Sequence, residues 1–291
     1  MQSVSADPLR RQFLIMKDRF LFIGGDKRME YAADFLSKKY FVDMLNGADM
    51  PEGKYEYIVL PLPVSRDGVY INAPLSETPL PFQLISQYAA EHATVFCGGA
   101  NKSAEDICRT NGLRFVNYFS DEPLTLKNAA LTAESAAAIL ANCNDSSVFG
   151  ADIAITGGGR VAVYTARLLK AFGASVTICA RSIEQRTKAE LDGFYAVDTE
   201  ELSAICSKAD FIVNTVPADL FDESTFTCMK RGAVYLELAT LPPEPYKSRS
   251  EQYGVQYIYA PGLPGKYSPK TAGELIAETI LAEAEKLSKV N

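Results

Sequence analysis

The chain reads as an α/β protein of two doubly wound parallel sheets, with a cleft between the two lobes. Three observations predict this. Short apolar runs rich in β-branched and aromatic residues alternate with helical stretches in both halves, as in parallel sheets covered by helices on both faces. Residues 128–140 are rich in good helix formers, lack Gly and Pro, and stand between the halves. A further helical stretch over 271–289 is expected to return to the first lobe, so the chain crosses between lobes twice.

The elements follow in order. Phe20-Leu21-Phe22-Ile23 is the first strand, followed by Gly24-Gly25-Asp26 and a helix over 27–39. Residues 40–44 give a second strand, and 57–61 a third that runs into the loop 62–68. A helix is expected over 79–91, a strand over 94–97, a helix over 104–111 and a strand over 114–118. The second half opens with a strand over 151–156. A helix over 161–172 follows, ended by Gly173, and then a strand over 175–180. Later strands are expected at 211–215, 233–238 and 256–259. The expected organisation is an extension over 1–18, a first lobe over 19–126 plus 271–291, a connecting helix over 127–146, and a second lobe over 147–270. The apolar stretch Phe13-Leu14-Ile15-Met16 is too short for a secretory signal. The extension reads as a lead-in or a docking arm.

Composition narrows the function classes. The chain is 47% hydrophobic and 22% charged, which fits a globular enzyme. A net charge of -7 with no long basic run argues against general nucleic-acid binding, so an anionic ligand needs a local cluster of cations. No segment is apolar enough to span a membrane. The six cysteines form no Cys-x-x-Cys pair, which points to reduced, mostly buried thiols in a cytoplasmic protein and away from a zinc site. The one histidine, His92, falls in the helical pattern after Phe82 and reads as a surface residue. Acid–base work then falls to Lys, Tyr, Asp, Glu or water.

The most informative stretch is Ile153 to Ala162, where an apolar run ends in Gly157-Gly158-Gly159 and a helix begins at Arg160-Val161. Gly157 suits the tight turn, Gly159 lets the backbone approach a pyrophosphate, and Ala162 lets the helix pack on its strand. The free N–H groups of the helix start then face the anion. The same glycines also suit a plain strand–helix joint. Where NAD-preferring proteins carry an acid, this chain has Ala180-Arg181-Ser182, with Arg186 one turn on. Arg181, Ser182 and Arg186 are expected to hold a 2′-phosphate, favouring NADP and leaving NAD open. Pairing of either arginine with Glu184 is the competing reading. Gly24-Gly25 repeats the strand–glycine–helix pattern, but Asp26 would repel a phosphate, so it reads as a sheet-edge turn near the cleft.

Other candidates lie at strand and helix ends. Thr215, Val216 and Pro217 follow a strand and suit the nicotinamide ribose, or form an ordinary turn. The tail from Ala260 to Gly273 holds two Pro-Gly-type turns, then Lys266, Ser268, Lys270 and Thr271 at a helix start. That group is a carboxylate receptor or a proline-stiffened linker. Ser65 and Arg66 follow the third strand, and Arg66 suits bidentate binding of a second carboxylate. Thr132 and Glu134 lie near the crossing helix and are expected to face the cleft, although Thr132 equally suits a helix-surface hydroxyl. Glu134 or Lys270 is the candidate proton acceptor.

These motifs together carry a family resemblance. Ile23-Gly24-Gly25-Asp26, Leu60-Pro61 with the loop 65–68, the glycine motif with Ala180-Arg181-Ser182, and Asn214-Thr215-Val216-Pro217 contribute. Ala260-Pro261-Gly262-Leu263-Pro264-Gly265 with Pro269-Lys270-Thr271-Ala272-Gly273 is the most specific part. From about Arg19 onward the chain resembles the family of dipicolinate synthase A subunits. The resemblance implies a flavodoxin-like first lobe and a Rossmann NAD(P)-binding second lobe. It implies oxidation of the dihydrodipicolinate synthase product to dipicolinate, with a small dicarboxylate as substrate. It also implies a flavoprotein-like B subunit as partner and the mother-cell cytoplasm of a sporulating bacterium as location. Homodimerisation stays open. The alternatives are another two-domain dehydrogenase of shikimate or amino-acid type, or a nucleotide-binding subunit without turnover.

Overall fold

The computed structural model describes residues 18–47, 50–143 and 146–288. Residues 1–17, most of the expected N-terminal extension, lie outside them. In chain order the elements of the first half are β1 (Arg19–Ile23), α1 (Lys27–Ser37), β2 (Phe41–Leu45), β3 (Tyr55–Val59), β4 (Tyr70–Ile71), β5 (Leu80–Pro81), α2 (Leu84–Tyr88), β6 (Ala89–Cys97), α3 (Lys102–Thr110) and β7 (Arg114–Asn117). Then come α4 (Glu122–Asn142), β8 (Asp152–Thr156), α5 (Arg160–Ala171), β9 (Ser175–Cys179), α6 (Ile183–Leu191), β10 (Tyr195–Val197), α7 (Leu202–Cys206), β11 (Phe211–Asn214), α8 (Glu223–Cys228), β12 (Val234–Glu237), α9 (Tyr246–Tyr253), β13 (Gln256–Tyr259), α10 (Leu263–Tyr267) and α11 (Pro269–Ser288). The chain divides into two units, 1–125 with 269–291, and 126–268. Helix α4 begins in the first and continues in the second.

The first unit carries a parallel sheet ordered β2-β1-β3-β6-β7. This is the flavodoxin-like order. Strand β1 lies inside the sheet, and Phe20, Leu21, Phe22 and Ile23 are all fully buried, as a strand covered on both faces requires. Helix α1 starts at Asp26, whose carboxylate accepts from the Arg28 N–H at 3.0 Å. Its buried Met29, Ala32, Ala33 and Leu36 recur at helical spacing and share one core with Ile276, Ala277, Ile280 and Ala284 of α11. The turn at Gly24-Gly25 is structural. Gly25 has φ 101° with Met29 filling the space beside it, and its N–H donates to the Asn72 carbonyl at 2.8 Å. The Gly24 and Gly25 N–H groups both donate to protein carbonyls, so neither is left for a phosphate.

The second unit carries a six-stranded parallel sheet ordered β10-β9-β8-β11-β12-β13. This is the Rossmann order, and its direction of growth reverses between β8 and β11. The inner strands are again buried on both faces, with Ile155, Phe211, Val213 and Leu236 inaccessible. Ala162, Ala166 and Leu169 of α5 complete the core on one side.

Three expectations need correction. The helix expected over 79–91 is only the short α2. Leu80 and Pro81 instead pair with β4 as a small antiparallel ribbon, and residues 89–91 belong to β6. His92 therefore sits on a strand, with φ 60° and an exposed side chain beside Glu91 at 3.6 Å. The expected turn at Pro264-Gly265 is the body of α10, with Pro264 in its first turn, where a missing N–H does no harm. The third strand ends at Val59, not Pro61. All six cysteines are free thiols. Cys97, Cys108, Cys179 and Cys206 are buried, and burial pushes the Cys108 thiol up to about 11. No helix among the described residues is long and apolar enough to cross a membrane.

Candidate functional site

The carboxyl ends of β8 and β11 form the centre of the second unit's site. Gly157 takes φ 92°, a left-handed conformation that favours glycine, and its N–H donates to the Cys179 carbonyl at 2.8 Å. A Cβ at Gly157 would lie 2.7 Å from Thr215 Oγ1 and 2.9 Å from Val216 Cγ2. The glycine thus lets the β8 loop nest against the β11 loop. Thr215 Oγ1 closes the join by donating to the Thr156 carbonyl at 2.7 Å. Gly157, Thr215 and Val216, expected cofactor residues from distant parts of the sequence, therefore meet in space.

Gly159 is the N-cap of α5 and offers that 12-residue helix no side-chain cap. A Cβ there would meet nothing within 4 Å. The space beside the helix start is therefore open, at the positive end of the dipole where no helix satisfies its first N–H groups internally. Ala162 packs fully buried beneath them, Val161 is half-buried, and Arg160 is exposed on the first turn. These features fit a dinucleotide pyrophosphate. Gly158 also serves packing. A Cβ there would lie 2.6 Å from Cβ of Gln185, so its absence lets α6 approach.

The end of β9 treats its two arginines differently. Arg181 is exposed, and its side chain has no partner among the described residues. Ser182 is the N-cap of α6 but makes no side-chain cap bond, so its hydroxyl is not consumed by the helix. Arg186 points back into the protein. Its Nη1 donates to the carbonyls of Ala180 and Arg181, both at 2.8 Å, and pairs with Asp198. The Glu200 N–H, the Thr199 hydroxyl and Arg186 hold the Asp198 carboxyl below its ordinary range. Arg186 is thus committed to shaping the β9–α6 turn, and the clamp expected from two arginines reduces to Arg181 with Ser182. Glu184 pairs with Lys188 at 2.6 Å, not with either arginine.

Beneath the β11 loop lies a polar network that sequence reasoning missed. Glu237, at the end of β12, is completely buried. Its Oε2 accepts from Asn214 Nδ2 at 2.8 Å and from the Tyr235 hydroxyl at 2.9 Å, and its Oε1 accepts from the Ala239 N–H at 2.8 Å. Asn214 Oδ1 in turn accepts from Thr156 Oγ1 at 2.5 Å and from the Val216 N–H at 3.0 Å. Burial raises the Glu237 pKa, and the three donors oppose that shift. In the sequence Glu237 is one acid inside an apolar strand. The links of the network to Asn214 and on to Thr156 span 23 and 58 residues, so no local signal reveals it. Pro217 is exposed just beyond this network.

The helix α4 separates two residues expected to act together. Thr132 and Glu134 are two positions apart, which puts them on different faces. Thr132 Oγ1 donates to the Asn128 carbonyl at 2.8 Å, while Glu134 is exposed with Ala138. Lys266, in α10, is exposed, and its ammonium lies 5.3 Å from the Tyr267 ring centroid.

The first unit holds the other cations. Arg28 is buried and ties the start of α1 to the β3 loop, donating to Asp26 at 2.9 Å and to the Leu62 carbonyl. Gly273 of α11 packs on the Arg28 carbonyl oxygen, with no room for a Cβ. The starts of α1 and α11 and the loop after β3 therefore lie together. Lys270 and Thr271 are exposed in the first turn of α11. Ser65 is less available: its hydroxyl donates to Asp67 at 3.1 Å and accepts from the Gly68 N–H at 2.9 Å. The N–H groups of Tyr70 and Val69 hold the Asp67 carboxyl low. Arg66 is exposed beside this turn and has no side-chain partner among the described residues.

Comparison with known proteins divides along the same units. Residues 19–119 match the family model of the N-terminal domain of the dipicolinate synthase A subunit. The resemblance to that family is borne out. Residues 130–240 match the NAD binding domain of the D-isomer specific 2-hydroxyacid dehydrogenases. The dipicolinate synthase A subunit of Bacillus subtilis (strain 168) is 26% identical over 80% of this chain and 78% of its own length. The crystal structure of the dipicolinate synthase A chain from Bacillus subtilis superposes with a TM-score of 0.80 at 22% identity, covering 96% of this chain and 100% of that one. The A-subunit structure from Bacillus halodurans gives 0.80 at 21%, covering 92% and 98%. These two likenesses establish the fold. An NAD-binding domain of dehydrogenase type is present.

Proposed function

We propose that the chain is an NAD(P)-dependent oxidoreductase, the A subunit of a dipicolinate synthase. It oxidises the dihydrodipicolinate synthase product to dipicolinate, either as dihydrodipicolinate, which loses a hydride and a proton, or as hydroxytetrahydrodipicolinate, which loses a water as well. The observation that carries this reading is the open, uncapped α5 start at Gly159, in a chain whose other unit matches the N-terminal domain of that family. The dinucleotide, when bound, accepts a hydride from a ring carbon. The residues of the chain do the rest. The α5 start holds the pyrophosphate, and Thr215, Val216 and Pro217 orient the nicotinamide end. Arg66 and Lys270 with Thr271 hold the two carboxylates, and Lys270 or a water accepts the proton. Aromatisation drives the reaction, so placement and charge balance dominate.

NADP is the proposed cofactor, held at its 2′-phosphate by Arg181 and Ser182. The Arg181→Ala variant is expected to lose roughly tenfold in NADP+ affinity, the size of one charge-assisted hydrogen bond, and to bind NAD+ as before. Arg186→Ala is expected to lower the melting temperature and weaken both cofactors alike, because it leaves Asp198 and two carbonyls without their donor. Calorimetric titration with each dinucleotide separates the two outcomes.

A B subunit of flavoprotein-like fold and the mother-cell cytoplasm of a sporulating bacterium belong to the same reading. The test incubates the full chain, with and without that partner, with the precursor and NADP+ or NAD+, and follows dipicolinate absorbance. Product that needs neither the precursor nor the dinucleotide overturns the proposal. Turnover of a shikimate- or amino-acid-type substrate instead would reassign the enzyme, and binding without turnover in either mixture would make it a non-catalytic component. Lys270→Ala is expected to lower kcat/KM by roughly tenfold to a hundredfold with the dinucleotide Kd unchanged, the effect of losing one charge-assisted contact.

A further inference from the structure

Glu237 is the one buried acid among the described residues, and the proposed reaction does not use it. It has no cation partner among those residues; its three partners are the neutral donors of Asn214, Tyr235 and Ala239. Burying a carboxylate this way is unfavourable unless its lone pairs are used, and such groups persist where they serve a role. The donor set favours the charged form: three donors meet the two oxygens and oppose the rise in pKa that burial causes.

Its place in the sheet gives that charge a consequence. Glu237 ends β12, next to β11, and it grips the side chain that fixes the β11 loop. Asn214 spends both ends of its amide on this arrangement, with Nδ2 on Glu237 and Oδ1 on the Val216 N–H and Thr156. The loop so held is the one placed against the nicotinamide under the proposed function, and the inference rests on that reading. A nicotinamide ring carries a positive charge when oxidised and none when reduced. A fixed negative charge in a low-dielectric core near it stabilises only the oxidised form.

We propose that Glu237 is a positioning residue whose buried charge biases the site toward the oxidised dinucleotide, so that the site is tuned for oxidation. The geometric role and the charge role have different signatures. Losing the geometry weakens oxidised and reduced cofactor together. Losing the charge weakens the oxidised form selectively.

The test measures Kd for NADP+ and NADPH, and for NAD+ and NADH, on the full chain and its variants. Glu237→Gln is expected to lower the preference for oxidised over reduced cofactor about tenfold. Glu237→Asp, which keeps the carboxyl group, is expected to hold the wild-type preference within about twofold even if both affinities fall. Glu237→Met, which fills the space without adding a misplaced donor, replaces the glutamine variant should that one not fold, and carries the same expectation. Equal loss of both forms in the neutral variant overturns the charge role. So does a Glu237→Asp preference that drops as far as that of Glu237→Gln. If the wild-type chain binds neither form of either dinucleotide, the functional reading beneath the inference falls, and the inference falls with it.

Discussion

Replacing Gly159 with valine is expected to abolish dinucleotide binding, by at least about a hundredfold, in a chain that still folds. Gly159 has ordinary extended dihedrals, φ -80° and ψ -179°, and the space beside it is empty. Valine therefore meets no protein atom at its Cβ. It is a poorer N-cap than glycine, which costs about 1 kcal/mol and lowers the melting temperature by about 2–4 °C. The branched side chain would occupy the space at the helix start that a phosphate must enter. Gly157 makes the contrast. There a side chain meets Thr215 and Val216, and φ is 92°, so the same substitution disturbs folding and binding together. Titration calorimetry with NADP+ and thermal denaturation decide the matter. Normal binding by Gly159→Val would place the pyrophosphate elsewhere.

The second large effect is on stability. On an isolated helix, alanine is better than glycine by about 1 kcal/mol. At Gly273 the order should reverse, with Gly273→Ala less stable by about 2–3 kcal/mol. The new Cβ collides with the Arg28 carbonyl oxygen and lies 2.8 Å from Tyr31 Cβ, and a backbone carbonyl cannot swing aside as a side chain can. Differential scanning calorimetry should show the melting transition that includes the first unit lowered by about 4–12 °C. A rise in melting temperature would show that α11 and α1 can separate without loss.

The architecture is legible where burial on both faces leaves an unbroken apolar run. Strands β1, β8 and β11 announce themselves in Phe20-Leu21-Phe22-Ile23, Ile153-Ala154-Ile155 and Phe211-Ile212-Val213, and the glycine motif between β8 and α5 is read from sequence alone. The stretch around residues 79–92 misleads because Leu84, Ile85 and Tyr88 are spaced as on a helix. Pairing of Ala89 with Tyr55 then ends α2 after five residues, a tertiary contact that no local window contains. Strand β10 escapes notice for a different reason: three residues at a sheet edge, with Tyr195 exposed, make no pattern.

The site divides the same way. Gly157, Gly159 and Thr215 are candidates readable from sequence because their demands are local: a turn, a close approach and a strand end. Arg186 is misassigned from sequence because its partner, Asp198, arrives from beyond the next strand. Thr132 and Glu134 are joined by sequence proximity, though helical geometry separates them. Glu237 is invisible because the partner that gives it a role, Asn214, arrives from β11 and is itself tied to Thr156 of β8.

The discontinuous first unit has a consequence for biosynthesis. Phe20, Phe22 and Met29 emerge from the ribosome well before Ile276, Ala277 and Ile280, which cover them. Until α11 emerges that apolar surface stands unroofed, while the contiguous second unit is already able to close. The nascent chain therefore exposes apolar surface around α1 over that interval, and a chaperone that shelters it until α11 emerges would protect the step on which completion of that unit depends.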